Sequence, residues 1–334
     1  MGPVFLCPCR PFSQEVRKKA ALTYFEEYLS RPIDDKPFVA EDTLKERDYL
    51  WHTWIYRDNI KDIICMGFLF GMVNASVAQK LSMGSPPSLW QKFASSPKMV
   101  LWSWSNLFLF NLYNQRHPRA IAEDALNKPW RPLPAARISP EQTTIVMYMM
   151  YPVVLLVALY VGDLVPCLLE ALSCLWYNEW RGASGPFLKN LLNGLGFACF
   201  FAGPLEVATG HSIFSGGCTA ATWLGILTGC IMTTSHTQDF RDKEGDKLIG
   251  RDTVPLAVGD YYARMIVALG VVGWTSVASW YWCAGWSEAA MSWAAGACMV
   301  GNLFYDRTKS GDALSWRLWP GWILSLFLLP VFVD

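Results

Sequence analysis

Apolar residues gather into long runs along most of this chain, and polar residues collect between the runs. Each run is long enough, or nearly so, to cross the roughly 30 Å hydrocarbon layer of a bilayer as an α-helix. The pattern therefore predicts an all-α, polytopic membrane protein of about nine transmembrane helices. The predicted spans cover about residues 62–79, 98–114, 142–162, 164–178, 187–209, 214–236, 262–282, 287–305 and 318–333.

Lysine and arginine are distributed unevenly between the two sides that these spans define. With the N-terminus inside, every Lys and Arg except Lys80, Lys92 and Lys98 falls on one side. Cytoplasmic loops carry such an excess of basic residues. The loops after the second and sixth spans are therefore both predicted to face the cytosol.

Residues 1–56 differ from the rest of the chain because they are polar and mixed in charge. They lack the apolar core and small-residue cleavage site of a secretory signal. We interpret residues 1–56 as an N-terminal cytosolic extension and residues 57–334 as a transmembrane domain.

The overall composition agrees with a membrane protein surrounded by lipid. Hydrophobic residues make up 52% of the chain and charged residues only 17%, whereas about one quarter of a soluble domain is charged. The formal net charge is zero, so no basic excess indicates a nucleic-acid partner. The cysteines form no CxxC pair and are interpreted as buried small residues. No obligate protein partner is evident.

Three aspartates follow the sixth predicted span at helical spacing. Asp239, Asp242 and Asp246 stand at i, i+3 and i+7, which places their carboxylates on one helix face. Three like charges on one stripe call for a cation, and oxygen ligands shared with substrate phosphates suit Mg²⁺. Interleaved basic residues can bind the remaining phosphate oxygens. These basic residues are Arg241, Lys243, Lys247 and Arg251.

Two alternatives for this acidic segment are excluded by spacing, and one stays open. A calcium loop needs acidic residues at alternating positions with a distal Glu, and the segment lacks that order. Lipid-headgroup transferases with a D-x-x-D-G core need Gly where Lys243 stands. A solvated, charged helix end at a membrane surface remains as the structural alternative.

A second polar segment, residues 111–139, follows the second predicted span. It contains Asn114 and the adjacent acids Glu123 and Asp124. Pro118 interrupts a helix between them, so helical phase cannot be carried from Asn114 to the acids. Their amide and carboxylate oxygens are candidate ligands for the same metal.

Together the two segments resemble the UbiA superfamily of intramembrane prenyltransferases and terpene cyclases. The resemblance rests on the N-K-P-W-R-P-L-P sequence of residues 127–134 and on the aspartate spacing after the sixth span. It implies a helix bundle around a central cavity, in which Mg²⁺ bridges the two acidic motifs to an isoprenyl diphosphate. Such an enzyme, fed from the cytosol, is expected in the endoplasmic reticulum.

The site that follows from this resemblance has three groups of residues. The catalytic residues are Asp239, Asp242 and Asp246. The metal ligands are these three together with Asn114, Glu123 and Asp124. The diphosphate-binding residues are Lys128, Arg131, Arg241, Lys243, Lys247 and Arg251.

The first motif departs from the usual three-acid pattern, because Ala120 occupies the middle position. This variant is similar to UbiA-type enzymes of fungal secondary metabolism, several of which are terpene cyclases. The sequence therefore favours a Mg²⁺-dependent cyclase that ionises an isoprenyl diphosphate, preferably farnesyl diphosphate, to a cyclic terpene and pyrophosphate. The alternative is a prenyltransferase with an aromatic or other acceptor, and a more remote one is a non-enzymatic transporter.

Overall fold

The computed structural model describes residues 67–127, 131–180, 182–248 and 250–333. Within these ranges the chain is helical and contains no strand, which confirms the predicted all-α class. The N-terminal extension, residues 1–56, lies outside the described residues. The α-helices are α1 (Leu69–Ala75), α2 (Leu89–Gln115), α3 (Pro118–Asn127), α4 (Pro140–Val161), α5 (Leu164–Asn178), α6 (Pro186–Thr209), α7 (Thr219–Thr234), α8 (Asp239–Leu248), α9 (Val254–Val258), α10 (Asp260–Tyr281), α11 (Trp286–Tyr305) and α12 (Lys309–Phe332).

Each predicted span overlaps one of these helices, but several ends differ from the prediction. Helix α2 begins well before residue 98, because Ser88 and Gln91 form a reciprocal capping box at its start. Helix α12 begins before residue 318, where the Thr308 side chain accepts a hydrogen bond from the backbone N–H of Gly311. Hydropathy misses these starts because their first turns contain polar residues.

Four of the described helices are long and apolar enough, by length and composition, to cross a membrane: α4, α6, α10 and α12. Helix α5 is apolar but shorter. Side chains such as Leu156 and Tyr160 on α4 are 65% and 69% exposed. Large apolar side chains on an outer surface are what a lipid-facing helix presents.

Helix α6 holds the bundle together, because it packs against α1, α2, α5 and α7. A large buried cluster joins α1 and α6 to α7, α10, α11 and α12, and a smaller one joins α2, α4 and α5. Helices α2 and α6 approach closely where the buried ring of Trp102 lies on Gly203. A Cβ atom at Gly203 would meet this ring at 2.5 Å, so the packing requires glycine.

The helix order brings both predicted acidic segments to one end of the bundle, which we call the acidic end. Pro118 begins α3 after α2 has ended at Gln115, as its backbone chemistry predicts. At the end of α7, a 3₁₀ turn over Ser235–Gln238 leads into α8. Helices α3 and α8 pack against each other. The opposite end contains the junction between α4 and α5 and the segment that joins α6 to α7.

Candidate active site

Helix α8 carries the aspartates of the second motif, and each lies near a basic side chain. Asp239 is the most firmly held, because Lys189 on α6 donates to its Oδ1 at 2.6 Å and both residues are buried. The Oδ2 of Asp239 is buried and has no hydrogen-bond partner in the described part of the chain. One lone-pair-bearing oxygen is therefore left for a further ligand.

The other two aspartates lie near arginines that are close to them in sequence. The Nε of Arg241 lies 3.4 Å from Asp242, and Nη1 of Arg251 lies 3.6 Å from Oδ1 of Asp246. The two residues are 8% and 1% exposed. The long contact to Arg241 leaves room for another group to approach the carboxylate of Asp242.

The first motif makes a similar pair across the loop that follows α3. Arg131 donates Nη1 to both carboxylate oxygens of Asp124, at 3.0 and 2.8 Å, and Asp124 is 4% exposed. Asn114 is half-buried in the last turn of α2. Its neighbour Gln115 is buried, and its Oε1 has no hydrogen-bond partner among the described residues.

The remaining predicted site residues differ from one another in exposure and in their contacts. Glu123 lies in α3 beside Asp124, and Lys128 lies outside the described residues. Lys247 is exposed on α8. Lys243 turns to α10, where its Nζ lies 2.5 Å from Oδ1 of Asp260. The structure thus brings most predicted residues to one end of the bundle, while Lys243 is engaged by a carboxylate that the sequence analysis did not select.

Sequence reasoning missed Lys189 and the carboxylates that face the basic residues of α8 and α10. Lys189 stands near the start of an apolar run, and an ionisable residue within such a run is a signal of function. The same signal marks Arg264, which lies within the span predicted for residues 262–282. Their partners could not be read from local spacing, because they come from distant helices.

The donor set suits a divalent metal shared with an anionic ligand rather than a closed protein cage. No group of three or more His, Cys, Asp or Glu within the described ranges is gathered closely enough to hold an ion by itself. Mg²⁺ needs only one or two carboxylates when waters and phosphate oxygens complete its shell. The open oxygen of Asp239 and the carboxylate of Asp242, whose contact with Arg241 is long, fit that requirement.

A comparison with family models decides the class of the protein. The model described as the UbiA prenyltransferase family matches residues 87–332. The chain belongs to this UbiA family. The match begins after α1 and contains both acidic motifs, so it includes the whole of the described site.

Curated relatives of this UbiA protein include both cyclases and transferases. It is 31% identical to the fumagillin beta-trans-bergamotene synthase of Aspergillus fumigatus, over 77% of this chain and 86% of that protein. A diterpene cyclase of Hericium erinaceus is 29% identical over 51% of this chain and 54% of its own length. A polyprenyl transferase of the same fungus is 31% identical over 51% and 57% of the two chains.

Solved UbiA structures share the fold at low sequence identity. A UbiA homolog from Archaeoglobus fulgidus, determined with GPP and Mg²⁺, covers 82% of this chain and 100% of its own with a TM-score of 0.55 and 13% identity. The structure of a digeranylgeranylglyceryl phosphate synthase has a TM-score of 0.54 at 17% identity and covers 87% of this chain and 99% of its own.

These findings establish the reaction class at a coarse level. The UbiA chain is an isoprenyl-diphosphate-dependent enzyme, a terpene cyclase or a prenyltransferase, and it is similar to a UbiA-type terpene synthase of a fungus. The transporter interpretation is therefore set aside. UbiA proteins are integral to membranes, and the apolar helices of this chain agree with that location.

Proposed function

We propose that this UbiA protein is a Mg²⁺-dependent intramembrane terpene cyclase of secondary metabolism. Its substrate is an isoprenyl diphosphate, with farnesyl diphosphate favoured, and its products are a cyclic terpene and pyrophosphate. The observation that carries the proposal is the packing of α3 against α8. This packing brings four buried carboxylates, each with a basic side chain near it, to one end of an apolar bundle.

The wider arrangement belongs to the same proposal. Residues 57–334 form the catalytic domain, with nine membrane-spanning helices around a central cavity. The acidic end faces the cytosol, from which a soluble diphosphate enters, and the membrane is that of the endoplasmic reticulum. The separation of basic residues between the two sides of the spans supports this orientation.

The residues of the acidic end bind and orient the diphosphate. Asp239, Asp242 and Asp246 on α8, with Asp124 and Asn114 across from them, are the oxygen ligands that Mg²⁺ prefers. When bound, Mg²⁺ supplies the positive charge that stabilises the departing pyrophosphate. Lysine and arginine side chains bind the phosphate oxygens that remain. These side chains are Arg131, Lys189, Arg241 and Arg251.

A row of aromatic rings leads from the acidic end into the bundle and fits the hydrocarbon part of the substrate. The guanidinium of Arg241 lies 5.8 Å from the centre of the Trp316 ring. Trp316 stacks on Trp319 at 5.0 Å, and Trp319 lies 6.2 Å from Phe197. Aromatic faces attract cations by roughly 0.5–2 kcal/mol each. Such a wall excludes water and stabilises the carbocation left when the diphosphate departs.

The fate of that carbocation separates the proposed cyclase from the alternative. In a cyclase, the double bonds of the prenyl chain attack the cation, whereas in a prenyltransferase an aromatic or other acceptor does so. The extensive similarity to a fungal bergamotene synthase favours the cyclase. The shorter match to a polyprenyl transferase of Hericium erinaceus keeps the prenyltransferase as the second candidate.

The test is turnover without an acceptor. The full chain in lipid nanodiscs is incubated with Mg²⁺ and either farnesyl or geranylgeranyl diphosphate, and the extract is examined by gas chromatography with mass detection. We expect a cyclic hydrocarbon and released pyrophosphate, both abolished by EDTA and restored by added Mg²⁺. Pyrophosphate release that requires an aromatic acceptor would establish the transferase instead. No release with either substrate, with or without acceptors, would refute the proposal.

A further inference from the structure

A fully buried arginine lies behind α8, the helix that carries Asp239, Asp242 and Asp246. Arg264 on α10 has no exposed surface. Its Nε donates to Oδ2 of Asp260 at 2.8 Å, and its Nη1 donates to the carbonyl oxygen of Leu303 at 2.6 Å. Its Nη2 lies 2.8 Å from the buried carboxylate of Asp312. One side chain therefore joins α10 to the end of α11 and the start of α12.

The same arginine is connected to α8 on both sides of Asp242. The ring of Phe240, which is 2% exposed, lies against the guanidinium of Arg264 at 4.3 Å. Lys243 reaches the same cluster through Asp260, at 2.5 Å. A helix as short as α8 is not stable by itself in water, so these contacts hold it against the longer helices.

The charges of this cluster balance within it. Arg264 and Lys243 contribute two positive charges, and Asp260 and Asp312 contribute two negative ones. A buried cation is stable when its carboxylate partners are equally well placed. Lys243 is therefore engaged by Asp260 at 2.5 Å, whereas Arg241 lies 3.4 Å from Asp242.

We propose that Arg264, Asp260 and Lys243 form a positioning unit that fixes α8 so that Asp239 and Asp242 face the metal. In this unit Lys243 acts through Asp260 and does not bind the diphosphate. The inference rests on the proposed function only in taking the carboxylates of α8 as metal ligands. Partners that orient metal ligands typically contribute about 10- to 100-fold to metal affinity or activity.

The experiment measures metal binding separately from turnover. Free Mn²⁺ is titrated into the full chain in nanodiscs and followed by electron paramagnetic resonance, for the wild type, Lys243→Met, Asp260→Asn and the double variant. We expect each single variant to weaken Mn²⁺ binding about tenfold or more. We expect the double variant to bind Mn²⁺ no more weakly than the single variant with the lower affinity, because both changes break the same contact.

If Lys243 instead binds the diphosphate, the measurements give a different result. Lys243→Met would then raise the KM for prenyl diphosphate and leave the Mn²⁺ affinity unchanged. In the double variant, the decrease in kcat/KM caused by Lys243→Met would add to the decrease caused by Asp260→Asn. That outcome overturns the positioning unit. Arg264→Met and Arg264→Lys provide a further check. Lysine is shorter than arginine but keeps a positive charge beside Asp312, so Arg264→Lys should retain part of the Mn²⁺ affinity that Arg264→Met loses.

An exposed ion pair between α12 and the same acidic helix supplies the matched control. Lys309 lies 3.7 Å from Glu244, and both side chains are more than half exposed. Lys309→Met should bind Mn²⁺ within about twofold of the wild type, because exposed pairs contribute little. If wild-type protein binds Mn²⁺ with this pattern but releases no pyrophosphate, the proposed function fails and the positioning unit stands. If wild-type protein binds no Mn²⁺, both fail.

Discussion

The two ends of the bundle both bury carboxylates, but only one end supplies them with cations. At the acidic end, Asp239 is held by Lys189, and Asp124 by Arg131. At the opposite end, Asp163 lies beside Glu206, and no basic side chain pairs with either within the part of the chain that the structure describes. Glu206 instead accepts hydrogen bonds from the segment that follows α6.

The difference affects the pKa of the unpaired carboxyl group of Asp163. A cation at close range favours the ionised form, whereas burial beside a second carboxyl favours the protonated one. Burial, and then the nearby Glu206, raise the pKa of Asp163 to about 8. Asp163 at the opposite end therefore favours its protonated form, while carboxylates at the acidic end lie beside lysine and arginine side chains.

The strongest way to break this comparison is to neutralise one carboxylate at each end. Asp242→Asn keeps the shape of the side chain but removes a metal ligand, so we expect pyrophosphate release to fall about 100-fold or more. Asp163→Asn should retain activity within about threefold, because this residue lies at the opposite end of the bundle and the amide keeps the shape of the side chain. Initial rates of pyrophosphate release measure both.

Equal losses in the two variants would show that the ends are not specialised. Size-exclusion chromatography in detergent serves as the folding control, because both variants must elute as the wild type does for the rates to be compared.

A second prediction concerns the buried pair at the acidic end. Lys189→Met leaves the carboxylate of Asp239 buried without its cation, which we expect to lower the free energy of unfolding by about 3 kcal/mol in the absence of metal. Adding Asp239→Asn to this variant removes the uncompensated charge and should recover most of the stability, but not the activity. Thermal unfolding followed by tryptophan fluorescence measures the first effect, and pyrophosphate release the second.

If Lys189→Met and the double variant unfold at the same temperature, charge compensation is not what Lys189 provides. A recovery of activity in the double variant would instead remove Asp239 from the metal site.

The third prediction is a pH dependence from the opposite end. Because the pKa of Asp163 is raised above its ordinary value of 3.8 to about 8, its contribution to stability is complete below pH 4 and is lost as the pH rises to about 8. Asp163→Asn removes this pH dependence. The free energy of unfolding of the variant should therefore exceed that of the wild type by at least about 1 kcal/mol at pH 8. Unfolding midpoints between pH 5 and pH 8 test this, and parallel curves would contradict it.

The smallest effect is expected from a pair that is only partly buried. Arg116 and Glu179 form an ion pair at the acidic end, with side chains 18% and 30% exposed. Glu179→Gln should change the free energy of unfolding by less than about 1 kcal/mol and leave activity unaltered. Comparison with Lys189→Met in the same unfolding assay then separates the effect of burial from that of pairing. A loss as large as that of Lys189→Met would show that location at this end matters more than burial.

The positions of the helices and the placement of the three aspartates on one helix could be predicted from the sequence. Hydropathy located a helix in every predicted span, and spacing placed Asp239, Asp242 and Asp246 on one short helix, α8. The break at Pro118 followed from its missing N–H. These features depend on residues close together in the chain, and local chemistry determines them.

Pairing between helices could not be predicted in the same way. The neighbours of Lys243 in sequence predict a phosphate ligand but do not predict its contact with Asp260. Its partner Asp260 stands beyond a loop, and the residues that complete the cluster, Arg264 and Asp312, lie on two different membrane helices. Such contacts depend on how the helices pack, which a single sequence does not specify.

The cluster around Arg264 also constrains how the protein is made. During synthesis α10 enters the membrane before α12 has been translated, so the guanidinium of Arg264 must wait for the carboxylate of Asp312. Until then its carboxylate partner is Asp260 on the same helix, and an arginine that lacks part of its pairing in hydrocarbon is costly. The contacts of Arg264 at the acidic end can therefore be completed only after the last helix has been inserted.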